Sequence, residues 1–465
     1  MKRREQDGLA GPKVSFPLAA AVFLFAFACF FPNPALQIGS NTGLQMGQIM
    51  ALMSLPFILL VSGLPRRQTL VSMLLFLPVL LSGFLTVLTD NALANDVVLK
   101  VTIAMALVLV VLVPAGKVVN EKYAVLLLSG VAWAIVLNAL VGLYQAYRFT
   151  QDVFPLPGIY QNPSFSAFMG NDPEHYALYV KRPFGFFPEP SAMAASIGPW
   201  LILIVGLLLY PKLRGGIARE GITRGTLIQL FVAAVCGVGL IIVSSSGFTL
   251  FLLTGLLLVV LPYLKDRVLR LYRPGNLFLI VPLVLVGTAL VVFSVNYVGS
   301  RIDVQENSSW SARLSSIVWS LTYFGASLSN MVYGVGPGQS NLILESSGSS
   351  ILPPVSTGGI VVNAIWSLIV SYVLETGLLG ALVLVLVLTM VLRAIIRSSA
   401  RLMGFSCLGV WLAGVTVTTS YLPLLPIWLF LGVLLAWDRI FPRRTSGGRI
   451  EPKPRMSRIR EGIRT

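Results

Sequence analysis

The chain has 465 residues, of which 56% are hydrophobic and only 11% charged, and it carries a formal net charge of +16. Its mean hydropathy of +0.83 excludes a water-soluble domain, whose surface needs far more polar and charged side chains. Backbone amides left unpaired in lipid cost several kcal/mol each, so runs of about 18–25 apolar residues cross a bilayer as helices. The expected fold class is all-α, a polytopic membrane protein.

Apolar windows fall in chain order at 14–31, 47–64, 69–88, 97–115, 123–147, 191–210, 226–243, 248–264 and 276–298. A long block at 360–392 and windows at 402–419 and 426–441 bring the count to about twelve crossings. The chain divides accordingly into helices one to five (1–147), a first long outer loop (148–190) and helices six to nine (191–298). A large outer loop (299–358), helices ten to twelve (359–441) and a basic tail (442–465) follow. Lys2, Arg3 and Arg4 resemble the start of a signal peptide. The first span runs into Phe31-Pro32-Asn33-Pro34 with no small-x-small cleavage site, so a retained anchor is expected.

With the N-terminus inside, 28 of the 34 basic residues fall on the cytoplasmic side, leaving only Lys100, Arg148, Lys181, Arg182, Arg301 and Arg313 outside. Both termini are therefore expected in the cytoplasm. The basic loops, and the tail from Arg449 to Arg464, suit an anionic lipid surface. No recognition motif accompanies the charge, so nucleic acid is not an expected partner. Cys29, Cys236 and Cys407 lie inside spans at unrelated spacings and read as small apolar packers, and no cofactor or metal is implied. No internal repeat is visible.

Of eighteen Asp and Glu residues, only Glu375 falls clearly inside an apolar block, which argues against a pump with intramembrane relay carboxylates. Chemistry is expected in the outer loops. The first ends in Lys181-Arg182-Pro183-Phe184-Gly185-Phe186-Phe187-Pro188-Glu189-Pro190-Ser191. Prolines keep this stretch extended, and its aromatics suit the headgroup level. Arg182 fits a diphosphate through two parallel charged hydrogen bonds, or with Lys181 is an interfacial anchor. Glu189 fits either a general base or a cap on the next helix. His175 is the lone histidine, in an exposed polar turn with Asp172. The second loop holds Arg313, opening a helical stretch with Ile317, Trp319, Leu321 and Phe324, and the cluster Gly334-Val335-Gly336-Pro337-Gly338. The bare backbone at Gly336 and Gly338 could approach a sugar or phosphate, or form a connector turn. The hairpin Ser244-Ser245-Ser246-Gly247 offers hydroxyls to a glycan or to helix ends. The block 360–392 is expected to begin as an outer-surface helix carrying Asn363, Trp366 and Glu375.

In order, the segment Arg182–Ser191, the Ser-rich stretch Ser244–Thr249, the stretch Arg313–Gly338 and Glu375-Thr376-Gly377-Leu378-Leu379-Gly380 resemble the Wzy-like O-antigen polymerase and ligase superfamily over roughly 140–400. The resemblance implies a GT-C-like helical fold in the bacterial inner (cytoplasmic) membrane. It also implies transfer of a growing glycan from undecaprenyl diphosphate to the terminal sugar of an incoming lipid-linked repeat unit, in exopolysaccharide, capsule or O-antigen synthesis. On that reading Arg182, Arg313 and Arg301 meet the diphosphates and Glu189 orients or deprotonates the attacking hydroxyl. Lys181, Ser246, Gly336, Gly338, Asn363 and Glu375 line the substrate, and Asp172, Asp303 and Glu306 bind sugar hydroxyls. The implied partners are the lipid-linked donor and acceptor, membrane lipids, a chain-length regulator and a flippase. Ligases of the superfamily carry a histidine near the end of the large loop, and Ser356–Gly377 has none, which favours a polymerase. A ligase-type transferase, a lipid-linked oligosaccharide flippase or exporter, and a scaffold subunit are the alternatives.

Overall fold

The computed structural model describes residues 16–39, 42–62, 66–89, 94–112, 123–160, 162, 178, 181–217, 222–271, 307–346, 356–357, 360–361, 365–418 and 423–443. The chain is mostly helical. In order run α1 (Phe16–Ala28), a hairpin of β1 (Ala35–Gly39) and β2 (Thr42–Gln45), then α2 (Met46–Ser62), α3 (Arg66–Leu88), α4 (Asn95–Val110) and α5 (Ala124–Phe149). After a 3-10 turn at Pro157–Ile159 come α6 (Pro190–Leu209), α7 (Pro211–Ile217), α8 (Arg224–Ser244) and α9 (Ser246–Leu271). The second long loop contributes α10 (Asn307–Gly325), α11 (Leu328–Tyr333) and α12 (Gln339–Ser346). A two-residue hairpin of β3 (Ser356–Thr357) and β4 (Ile360–Val361) follows. The chain finishes with α13 (Leu368–Arg397), α14 (Arg401–Ala413), α15 (Leu425–Leu435) and α16 (Trp437–Ile440). Both hairpins are antiparallel, the first pairing Leu36 with Leu44, and neither is foreshadowed by the hydropathy pattern.

Six helices among the described residues are long and apolar enough to cross a membrane: Arg67–Leu88, Ala124–Phe149, Pro190–Leu209, Arg224–Ser244, Gly247–Lys265 and Leu368–Arg397. Shorter apolar helices lie at Pro17–Ala28, Arg401–Val417 and Leu425–Leu435. Large apolar side chains stand exposed along α3 (Met73, Phe84, Leu88), α5 (Leu140, Leu143) and α13 (Leu382, Val385). Water would not tolerate so extended an apolar exterior, whereas acyl chains do. The core is built around α6, which is 83% buried over its most apolar window. Trp200 at its centre meets Phe30, just past the end of α1, and Phe430 of α15 edge-on. Small residues let neighbours close in, Gly237 of α8 facing Leu201 and Gly255 of α9 facing Ile202.

The two ends of the bundle differ in chemistry. At one end Arg67 forms a two-pronged pair with Asp438 at 2.9 and 3.2 Å and bonds the Leu435 carbonyl at 2.8 Å, while Arg214 and Arg443 bond the carbonyls of Leu207 and Ile396. At the other end α5, α8 and α14 finish where α6 and α9 begin, since Gly142 abuts Leu240 and Pro183, Gly198 abuts Phe248, and Gly414 abuts Ala195. Arg182, Glu189 and Ser244 lie there.

Some expected boundaries move. α13 is two helices joined across a kink at Gly377 (φ 69°), and Glu375 sits in the first of them, ahead of the longer apolar run, in keeping with the expected short helix before the span. α10 opens at Asn307, ahead of Arg313, and its buried positions are Ser316, Trp319 and Ser320, with Leu321 left exposed. The window 276–298, the N-terminal basic residues, Asp172, His175, Arg301, Asp303, Glu306, Asn363 and the tail from 444 lie outside the described residues.

Candidate functional site

The Pro183–Phe187 segment lies inside the protein, with Phe184, Phe186 and Phe187 all buried. Two amides on α5 hold it. Gln145 Oε1 accepts from the Phe184 and Gly185 amides at 2.8 and 2.9 Å, and its Nε2 donates to the Gly185 carbonyl at 3.0 Å. Asn138 Oδ1 accepts from the Phe186 amide at 2.9 Å, and the Phe186 carbonyl accepts from the Asn33 amide. The Tyr160 hydroxyl adds a 2.5 Å bond to the Gly185 carbonyl, and burial pushes its pKa above the ordinary phenol range. Irregular backbone at membrane depth must find such partners within the protein. Gly185 is required, because its φ is +59° and a Cβ would collide with Asn138 Oδ1. Phe149, Phe154, Tyr160 and Phe184 form a separate aromatic cluster that seats the segment.

This clamp delivers Glu189 to the start of α6. Its backbone takes the N-cap position, with the Glu189 carbonyl accepting from the Met193 amide at 3.1 Å, yet the carboxylate makes no capping bond. It accepts instead from the Ser191 hydroxyl. Glu189 is 4% exposed. Burial pushes its pKa up to about 6, against the opposing pull of the nearby Arg313 guanidinium and then the Ser191 hydroxyl. Arg313 comes from α10. It donates to the Val417 carbonyl at 3.1 Å, in a π-helical turn over Gly414–Thr418 that ends α14, and lies over the Trp366 ring at 5.5 Å from its centroid. A buried carboxylate and a guanidinium from distant parts of the chain thus lie within electrostatic reach of each other.

The glycine cluster has a different task. The break at Gly377 frees carbonyls one turn earlier, and the loop supplies donors: Val335 bonds the Leu374 carbonyl at 3.1 Å and Gly336 the Glu375 carbonyl at 3.2 Å, with the Ser82 hydroxyl also on the latter at 2.6 Å. The Glu375 carboxylate accepts from the Ser340 hydroxyl at 2.5 Å and from the backbone amides of Gly338 and Ser340. Gly336 lies against Thr86, and Gly338 against Val97 and Val101. These glycines are spent on close packing against α3, α4 and α13, and Glu375 closes a clasp that fixes the second long loop to α13. Gln339 adds a reciprocal pair of bonds to the backbone of Ala94.

The structure therefore places Glu189 and Arg313 within electrostatic reach of each other. It sets Glu375, Gly336 and Gly338 in a neighbouring clasp, and leaves Arg182 half-buried at the start of the clamped segment. Lys181 pairs with Asp152 at 2.6 Å across an exposed surface. Ser246 opens α9, its side chain outside the described ones, while the Ser244 and Thr249 hydroxyls bond the Leu240 and Ser245 carbonyls and so serve the helix ends. Residues to which the sequence alone assigns no role are Asn138 and Gln145, visible only as two amides in an apolar run, together with Ser191, Ser340 and Trp366. Among the described residues no group of three or more His, Cys, Asp or Glu side chains is placed to hold a metal. No family model, curated protein or solved structure matches the chain.

Proposed function

We propose that the protein is a membrane glycan polymerase that transfers a growing glycan from undecaprenyl diphosphate to the terminal sugar of a lipid-linked repeat unit. It would work on the periplasmic face of the inner membrane, within a GT-C-like arrangement of twelve spans and cytoplasmic ends. The observation that carries this reading is the buried Glu189 carboxylate near Arg313, at the bundle end that holds few of the chain's cations. Transfer breaks the bond between the anomeric carbon and the diphosphate oxygen and forms one to the acceptor hydroxyl oxygen. The acceptor proton passes to Glu189, and polyprenyl diphosphate departs with the bonding electron pair.

A carboxylate with a pKa of about 6 suits that work, being largely ionised at neutral pH yet basic enough to accept a proton. Arg313, half-buried, stabilises charge developing on the departing diphosphate, and Arg182 holds the second lipid-linked diphosphate. Gln145 and Asn138 keep Arg182 and Glu189 at fixed spacing by clamping the backbone between them.

The test is purified protein in lipid nanodiscs supplied with a lipid-linked repeat unit. A ladder of products is expected, and Arg313→Ala should slow its growth by about 10²–10³-fold while leaving the protein inserted and monodisperse. One transfer onto a lipid A-core acceptor would instead indicate a ligase, and transbilayer movement without bond formation a flippase.

A further inference from the structure

The proposed reaction leaves two features of α5 unused. The first is an apolar groove of about 310 Å3 between α1 and α5, lined by Phe23, Phe27, Trp133, Val136, Leu137 and Leu140. It opens outward, where Trp133 is 47% and Leu140 56% exposed. The second is Arg148, one residue before the end of the helix. Its side chain is half-buried, and its Nε is buried with no hydrogen-bond partner among the described residues. An arginine that only anchors a helix end would keep its guanidinium in the wet headgroup layer. A buried donor with nothing to bond costs about 1–3 kcal/mol and asks for an acceptor.

Helical geometry connects the two. Val136, Leu140, Tyr144 and Arg148 repeat at intervals of four, the spacing of one ridge along a helix surface. From Leu140 to Arg148 that ridge rises about 12 Å. Arg148 also lies one turn beyond Gln145, on the edge of the face that grips the clamped segment. The segment runs antiparallel to α5, with Phe186 at Asn138, Phe184 at Gln145 and Lys181 at Asp152. Arg182 opens the segment next to Lys181, which meets Asp152 just beyond the end of α5, and so lies toward the Arg148 end of that helix. Two arginines thus stand at the end of an apolar channel that faces lipid.

We infer that the α1/α5 face is the docking site of a polyprenyl diphosphate, its isoprenoid chain lying in the groove and its diphosphate on Arg148 and Arg182. This rests on the reading of the protein as a polyprenyl-diphosphate-using transferase and adds to it the lipid's path. A guanidinium fork matches two oxygens of a phosphate, so the pair suits a diphosphate better than the single phosphodiester of a bulk phospholipid.

The experiment is equilibrium binding of a fluorescent polyprenyl diphosphate to the full chain in phosphatidylcholine nanodiscs. Arg148→Ala is expected to weaken binding about tenfold or more, Arg148→Lys to recover only part of the loss, and Leu140→Trp, which fills the groove, to weaken it as well. Phosphatidylglycerol should fail to displace the probe. Unchanged binding by Arg148→Ala, or displacement by phosphatidylglycerol as effective as by unlabelled polyprenyl diphosphate, overturns the assignment. The two readings separate cleanly. Tight, Arg148-dependent binding without any product ladder keeps the docking site and removes the polymerase, whereas a normal ladder from Arg148→Ala does the reverse.

Discussion

Glu189 takes the N-cap position of α6 without using its carboxylate to cap the helix. The sequence shows an acid between two prolines at the start of a span, but base and cap differ only in where the carboxylate points, which local sequence does not encode. Because its folded pKa of about 6 lies above the ordinary 4.5, the ionised form is the one that burial disfavours. That cost is absent below about pH 4.5, grows as pH rises, and is fully present above about pH 6, where it amounts to about 2 kcal/mol. Glu189→Gln should therefore abolish transfer while leaving thermal stability at pH 7.5 equal or higher, the gain vanishing by pH 4.5. Loss of both activity and stability at pH 7.5 would mark Glu189 as structural. The wild-type rate should fall on acidification with half-loss near pH 6, and a flat profile down to pH 5 would remove the base.

At the level of elements, the clasp between the glycine loop and the break in α13 joins motifs that the sequence presents as separate. Glu375 in an apolar block and a run of alternating glycines are both legible. Their pairing is not, since it depends on α13 bending at Gly377, where Val332 and Gly334 crowd the backbone. The same holds for Asn138 and Gln145: two amides in an apolar run announce a buried polar partner but not which one. Glu375→Ala strips an acceptor from Ser340 and from the Gly338 and Ser340 amides. Each buried donor left unpaired costs about 1–3 kcal/mol, so the variant should unfold at distinctly lower temperature in detergent. Glu375→Gln, which keeps an acceptor oxygen, should retain most of the stability. Identical melting of both variants and wild type would deny the clasp a role in holding the long loop.

For the whole molecule, periodicity and length alone revealed a helical membrane protein, because apolar runs of span length have few other uses. The depth of the Phe184–Phe187 segment was hidden, since aromatics suit an interface and a core equally well. The charge distribution predicts a sidedness that is directly measurable. In a background lacking Cys29, Cys236 and Cys407, a cysteine at Gly158 should react with a membrane-impermeant maleimide in intact cells, and one at Lys212 only after permeabilisation. The opposite pattern would place the Glu189 end in the cytoplasm, where a periplasmic polymerase could not work.

The most direct test of the central claim is the stoichiometry of lipid carrier release. Purified protein given a lipid-linked repeat unit should free one undecaprenyl diphosphate for each glycosidic bond formed, and Glu189→Gln should release none. Polymer growth without carrier release, or carrier release undiminished in Glu189→Gln, would contradict the account.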